Sequence, residues 1–268
     1  MGIETNMKPV VLFAVLAFGI VAAGCFSESA NGQKSAPPVQ NAPVAQGRRP
    51  VLVELFTSEG CSSCPPADRA LKFLAEQQPV QGAEIVPLAF HVDYWDNQGW
   101  KDQFSSAAYT KRQELYVEQF GLDSSYTPEM VVDGESQFIG SDTGKAVKEI
   151  GKALERQKSL VTLSTNGNKV DISVKDLPQH SNATLFLAIV EKYATSAVER
   201  GENAGSTLQH AAIVRELKPA GLVGSDQPSA TFSLDVDVDP TLKPDNIRLV
   251  AFVQENNSRR IIAVSSGL

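Results

Sequence analysis

The chain reads as an α/β segment followed by an all-β segment, and three observations predict this. From Pro50 to about Lys158, apolar strand-like runs alternate with helix-compatible stretches. After Ser159 the pattern changes to short alternating segments separated by turn-rich pieces. A length of 268 residues with 42% hydrophobic content has room for about two domains at roughly 150 residues each.

Residues 1–25 have the form of an export signal, with Lys8 ahead of an apolar stretch from Val10 to Ala23. That stretch is shorter than the ~20 residues a transmembrane helix needs. Ala22-Ala23-Gly24-Cys25 resembles a bacterial lipobox, which implies an acylated Cys25 at the mature N-terminus. Simple cleavage with Cys25 unmodified is the alternative. Phe26, standing where inner-membrane lipoproteins carry Asp, implies an outer-membrane destination by the same resemblance. Residues 26–49, rich in Ser, Asn, Gln, Pro and Ala, bury too little apolar surface to order themselves and read as a tether.

Within the first folded segment, 50–158, Val51 to Phe56 reads as a buried strand, Ala67 to Gln77 as a helix and Glu84 to Val92 as a second strand. Residues 102–120 are compatible with a helix, Met130 to Val132 and Ser136 to Ile139 with strands turning at Asp133-Gly134, and Thr143 to Gln157 with a closing helix. The order βαβ then αββα implies a mixed sheet with helices on its faces, and it is the order of a thioredoxin-like domain. In the second segment, 159–268, the expected strands are Leu160 to Thr165, Lys169 to Lys175, Leu185 to Glu191, Leu208 to Leu217, Ala230 to Val238, Ile247 to Gln254 and Arg260 to Val264. About seven strands is the number expected of a β-sandwich domain.

Cys61-Ser62-Ser63-Cys64 carries the chemistry, because a strand delivers two thiols at this spacing to the start of a helix. Unpaired N–H groups and the helix dipole favour thiolate there, so Cys61 is expected to be the exposed attacker and Cys64, one turn in, the resolving thiol. Pro65 suits a first helical turn. A static disulfide and half of a zinc site are the competing readings. Zinc lacks a second C-x-x-C, and His91, His180 and His210 are scattered. With Cys25 set aside, Cys61 and Cys64 form one isolated pair, so no disulfide framework holds the fold. The net charge of −7, with no Lys/Arg block, argues against nucleic acid and anionic membrane surfaces as partners.

Further candidates surround the pair. Glu54 interrupts an apolar strand seven residues before Cys61; buried behind the dithiol, it would exchange a proton with Cys64, while the alternatives are solvent or a lysine partner. The aromatic segment from His91 to Trp100 supplies Asp93, Tyr94, Trp95 and Trp100 as candidates for a substrate groove. His91 with Cys61 and Cys64 would make a copper site, although a His at a strand end is more often structural. Thr127-Pro128 precedes a strand at the point where thioredoxin-like proteins carry a cis proline beside the dithiol.

Phe56 to Asp68 (F-T-S-E-G-C-S-S-C-P-P-A-D), His91 to Asp96, Gly99 to Asp102, Tyr126 to Gly134 and Gly201 to Gly205 together resemble a family of secreted bacterial thioredoxin-like proteins classed as a domain of unknown function. The resemblance runs from about residue 50 to the C-terminus. It implies a thioredoxin-like fold with an appended β domain, with Cys61 and Cys64 as the redox pair and Thr127-Pro128 at the cis-proline position. This chain departs from the wider group by an insertion of roughly 30 residues, from about Tyr94 to Ser125, which would cap the dithiol against large clients. The Gly201–Gly205 loop reads as a plain hairpin turn, with docking on the first segment as the alternative.

The expectation is an exported thiol-disulfide oxidoreductase, periplasmic or anchored as an outer-membrane lipoprotein. It would need no cofactor beyond its own disulfide, and would act on a protein or small-thiol client with an envelope redox partner. A scaffold lipoprotein serving binding or assembly, and a copper metallochaperone, are the competing readings.

Overall fold

The computed structural model describes residues 2, 39–40 and 47–265. Cys25, the rest of the expected export signal and most of the tether lie outside them. Strand β2 (Arg49–Thr57) is the centre of the first half, buried from Pro50 onward. Its register with β3 (Ala83–His91) is parallel, from Arg49↔Ala83 to Thr57↔His91, and on its other side β4 (Glu129–Val132) pairs antiparallel. A strand with neighbours on both edges and cover on both faces needs apolar residues nearly throughout, which Val51 to Phe56 provides, Glu54 excepted.

The two faces of β2 serve different cores. Val51, Val53 and Leu55 meet α1 (Pro65–Gln77) and α3 (Thr143–Ala153), through Ala67, Leu71, Leu74, Ala146 and Ile150. Leu52 and Phe56 point the other way, toward Tyr109 and Tyr116 of α2 (Ala107–Phe120). Helix α1 tolerates Pro65 and Pro66 because both occupy its first turn, where N–H groups have no helical acceptor. Helix α2 starts at Ala107, five residues later than expected, because Ser106 caps it by accepting from Ala108 N at 3.2 Å; Gly121, at φ 63, ends it. Asp142 caps α3 by accepting from Lys145 N at 2.8 Å, and β5 (Ser136–Ile139) turns back onto β4 at Asp133-Gly134.

The second half is strand-built: β6 (Ser159–Asn166), β7 (Lys169–Val174), β8 (Ala183–Ala197), β9 (Thr207–Val223), β10 (Ala230–Asp235), β11 (Ile247–Glu255) and β12 (Ile261–Val264), with a 3-10 turn at Pro244–Asn246. A short β1 (Val39–Gln40) adds to β6. The strands form one 12-stranded hydrogen-bonded sheet, eleven of them in the order β10-β7-β6-β12-β11-β8-β9-β3-β2-β4-β5 with β1 off this path on β6, and β9 joins β3 in parallel at Ala89↔Ile213.

Residues on both sides of Ser159 share a core. Ala188 and Val190 of β8 and Val250 and Phe252 of β11 pack with Leu52, Phe56, Phe90 and Tyr116, while Leu185, Leu187, Ala251 and Val253, on the opposite faces of the same strands, build a separate core with β6 and β7. The expected boundary at Ser159 therefore crosses continuous packing. Among the described residues no helix is long and apolar enough to cross a membrane.

Candidate functional site

Cys61 and Cys64 are joined as a disulfide, with Cα atoms 5.4 Å apart. Cys64 is the N-cap of α1, so it stands at the helix end rather than one turn in, and its carbonyl accepts from Ala67 N at 2.8 Å and Asp68 N at 3.1 Å. Neither sulfur-bearing residue has exposed surface, although Ser62 and Ser63 between them are exposed. The exposed attacker expected at Cys61 is thus absent. The reason lies in what covers the tetrapeptide.

Three segments close over it. Trp95 lies against Gly60, where an added Cβ would come within 3.0 Å of Trp95 Cβ, and its indole N–H donates to Thr127 Oγ1 at 2.8 Å. Trp100 donates to Glu59 Oε2 at 2.7 Å. The Gly201–Gly205 loop, at the tip of the long β8–β9 hairpin, docks rather than standing free. Asn203 donates to the carbonyls of Glu59 at 2.8 Å and Cys61 at 3.0 Å, and Glu202 Oε2 accepts from Ser62 N at 3.1 Å. The Thr127-Pro128 bond is cis, and Ser63 Oγ donates to Thr127 O at 3.4 Å, so this dipeptide sits beside the pair.

The expected groove residues brace the site. Tyr94 OH donates to Gln113 at 3.1 Å and Asp93 Oδ1 accepts from Thr110 Oγ1 at 2.5 Å, both toward α2. Asp93, Tyr94, Trp95 and Trp100 all keep partial exposure.

Glu54 is buried, but on the wrong face for the expected role. It alternates with Val53 and Leu55, which face α1, so it shares the α2 face with Leu52 and Phe56. There Arg112 Nε donates to Glu54 Oε1 at 2.6 Å, and Tyr116 OH donates to its other oxygen. Glu54 is therefore a structural partner of Arg112, away from the helix that carries the dithiol.

The acid on the dithiol side is Asp68, four residues beyond Cys64 on the same side of α1. It is nearly fully buried, accepts from Thr57 Oγ1 at 2.9 Å and lies 3.9 Å from His210 Nδ1. Burial pushes its carboxyl pKa up against the opposing pull of His210 and His91. His210, from β9, also lies 3.3 Å from Glu59 Oε1. Its ring meets His91 at 4.9 Å between centroids, and His91 Nδ1 pairs with Asp102 Oδ2 at 2.7 Å. Burial acts to lower the His91 pKa, but Asp102 outweighs it and the net direction is up, while the Asp102 pKa is held down despite its own burial.

Five ionisable side chains, Glu59, Asp68, His91, Asp102 and His210, thus pack in one buried cluster. Glu59 Oε1, His91 Nε2 and both His210 ring nitrogens have no hydrogen-bond partner. The residues lie at sequence positions that no local spacing links: Asp102 escaped the sequence reading, and His210 entered it only as one of three scattered histidines. The one available signal was acidic residues flanking the C-x-x-C. Among the described residues no group of three or more His, Cys, Asp or Glu has a metal-holding arrangement. His91, the expected third copper ligand, is turned to Asp102.

Comparison with known proteins adds a family and a fold relative. No curated protein matches the chain. A crystal structure of a protein from Agrobacterium tumefaciens is similar, with a TM-score of 0.65 at 26% identity over 80% of this chain and 90% of that one. A domain of the outer membrane lipoprotein Omp28 from Porphyromonas gingivalis aligns at 14% identity over 37% of this chain and 75% of that one; its TM-score of 0.20 carries no argument. The model of the family described as protein of unknown function (DUF1223) matches residues 52–254, which span the dithiol, the buried cluster and the docked loop, and the chain belongs to that family.

Proposed function

We propose that this protein is a thiol-disulfide oxidoreductase built on a thioredoxin-like half, with Cys61 and Cys64 as its redox pair. The observation that carries the reading is a C-x-x-C disulfide at the N-terminus of α1, backed by the buried acid–histidine cluster. An inert disulfide closing so short a loop restrains the unfolded chain little, and it needs no buried acid–histidine cluster behind it.

In one exchange cycle a client thiolate attacks Cys61 Sγ, the S–S bond breaks, and Cys64 Sγ leaves with the bonding pair as thiolate. A second thiol then resolves the mixed disulfide, so two thiols are oxidised to one disulfide while Cys61 and Cys64 are reduced to thiols. Run backwards, the same steps oxidise a client. Cys64 takes up a proton in one direction and loses it in the other. Asp68 and His210 hold that proton nearby, a task expected of Glu54 from sequence. The chain supplies the chemistry without a bound cofactor. Export through residues 1–25 and a lipid on Cys25 belong to the same proposal and rest on sequence alone.

The test is a titration in thiol/disulfide buffers, with the Cys61–Cys64 state read by alkylation and mass. A reversible midpoint well above the roughly −300 mV ceiling of structural disulfides is expected. One observation favours a second reading, a binding or assembly module with a static disulfide: neither cysteine is exposed. A midpoint below that ceiling would select it.

A further inference from the structure

We propose that the Gly201–Gly205 hairpin tip is a cap that gates thiol access to Cys61, latched by Glu202 and Asn203. The inference rests on the oxidoreductase reading and adds to it a device from the other half of the chain. The tip hydrogen-bonds to the tetrapeptide and the turn before it: Asn203 donates to the carbonyls of Glu59 and Cys61, and Glu202 Oε2 accepts from Ser62 N. Of the tip's five residues only Asn203 is buried, so lifting it exposes little apolar surface.

Internally the tip is a tight unit. Gly205 N donates to Val198 O at 2.8 Å, Val198 N to Ser206 O at 2.9 Å and Ser206 N to Asn203 O at 3.1 Å. Such a turn moves as one piece about the end of the hairpin. It rests on Gly99-Trp100 through glycine contacts: a Cβ at Gly201 would come within 3.1 Å of Trp100 Cβ, and one at Gly99 within 3.6 Å of Gly201 Cα. Both glycines hold positive φ, 80° and 94°, so the close approach is made where side chains are disfavoured. The closed state is thus held by three latch hydrogen bonds and a small glycine contact, and it leaves both sulfurs covered. A thiol reaches Cys61 after the latch releases.

A gate changes rates, while the redox equilibrium stays where the dithiol sets it. The experiment follows reduction of the full chain by dithiothreitol and reoxidation by oxidised dithiothreitol, for the wild type, Glu202→Ala and Asn203→Ala. In reduction, dithiothreitol loses two electrons and two protons as its ring disulfide closes, and Cys61 and Cys64 gain them as two thiols. Asn203→Ala, which removes two hydrogen bonds, is expected to accelerate both directions about tenfold, and Glu202→Ala about threefold. The ratio of the two rates stays at the wild-type value. Glu202 is exposed, so its variant keeps the fold and carries the test if Asn203→Ala does not. Unchanged rates in a protein whose disulfide exchanges readily would overturn the gate and leave the oxidoreductase reading standing. Acceleration in one direction only, with a shifted equilibrium, would also overturn the gate, since the latch would then act on disulfide stability. A disulfide that resists dithiothreitol in the wild type and both variants would overturn the gate and the oxidoreductase reading together.

Discussion

Two buried charged clusters lie on opposite faces of β2, and they are satisfied to very different degrees. On the α2 face, Arg112 donates to Glu54, to Gln254 Oε1 at 3.2 Å and to Tyr116 OH at 3.4 Å, and its guanidinium lies 5.3 to 5.7 Å from the ring centroids of Phe90, Tyr116, Phe186 and Phe252. Phe186 and Phe252 belong to β8 and β11, so this cation ties the two halves together. On the α1 face, Glu59, His91 and His210 keep ring nitrogens or an oxygen unpartnered. Four buried atoms without hydrogen bonds lie in the α1-face cluster, two of them, Glu59 Oε1 and His210 Nε2, facing each other at 3.3 Å, against one, Glu129 Oε1, on the α2 face. Such atoms cost free energy, and the proposed exchange reaction gives the α1-face cluster a use, whereas the fully bonded Arg112 is structural.

The comparison is broken most sharply by Arg112→Ala. It leaves the Glu54 charge buried without its partner, and a loss of about 3–5 kcal/mol in unfolding free energy is expected by denaturant titration. The disulfide midpoint should not move. An equal loss from His210→Ala, with no effect on exchange, would reverse the assignment of structure and function to the two faces.

A second measurement exploits Glu129, the other carboxyl of the α2 face, whose pKa burial pushes up to about 7. Its folded value lies above the ordinary 4.5, so its contribution to stability is fully present below about pH 4.5 and is lost as pH rises through about 7. The loss is about 3 kcal/mol, visible as a falling midpoint in urea, and Glu129→Gln should flatten it.

Asp68→Asn tests the other face. If Asp68 holds the proton as proposed, its loss is expected to slow thiol exchange about tenfold and to change its pH profile, while thermal stability shifts by about 1 kcal/mol or less. A rate lowered equally at every pH would assign Asp68 a packing role only. The smallest effect is expected from Glu54→Leu combined with Arg112→Met. Replacing both partners by apolar residues should cost about 1–2 kcal/mol, well below Arg112→Ala alone, because no charge is stranded.

Elements with strong periodicity or punctuation were legible in the sequence. Val51 to Phe56, Ala67 to Gln77 and the seven later runs all correspond to observed elements, because burial on one or both faces dictates their side chains. The start of α2 was misread, since residues 102–106 look helical while Asp102 instead accepts from Glu59 N at 2.9 Å and Phe104 N at 2.8 Å. Cys61, Cys64 and Thr127-Pro128 were visible as local motifs. The Gly201–Gly205 block was visible too, but with a plain turn as its first reading; the roles of His210 and Asn203 depend on where a hairpin of 15- and 17-residue strands carries its residues, and that is set by the register of β9 against β3. Glu54 illustrates the period-2 rule: a carboxyl one residue either way along β2 would face the dithiol's helix.

The latch also has a consequence in time. Asn203 is 142 residues downstream of Cys61, so during synthesis the cysteines emerge and their helix forms well before the segment that covers them exists. Contacts of such separation form late, after the large chain closure they require. Newly made chains therefore pass through an interval in which the sulfurs are bare, open to oxidants and to other nascent thiols, and maturation ends when the last long hairpin folds down.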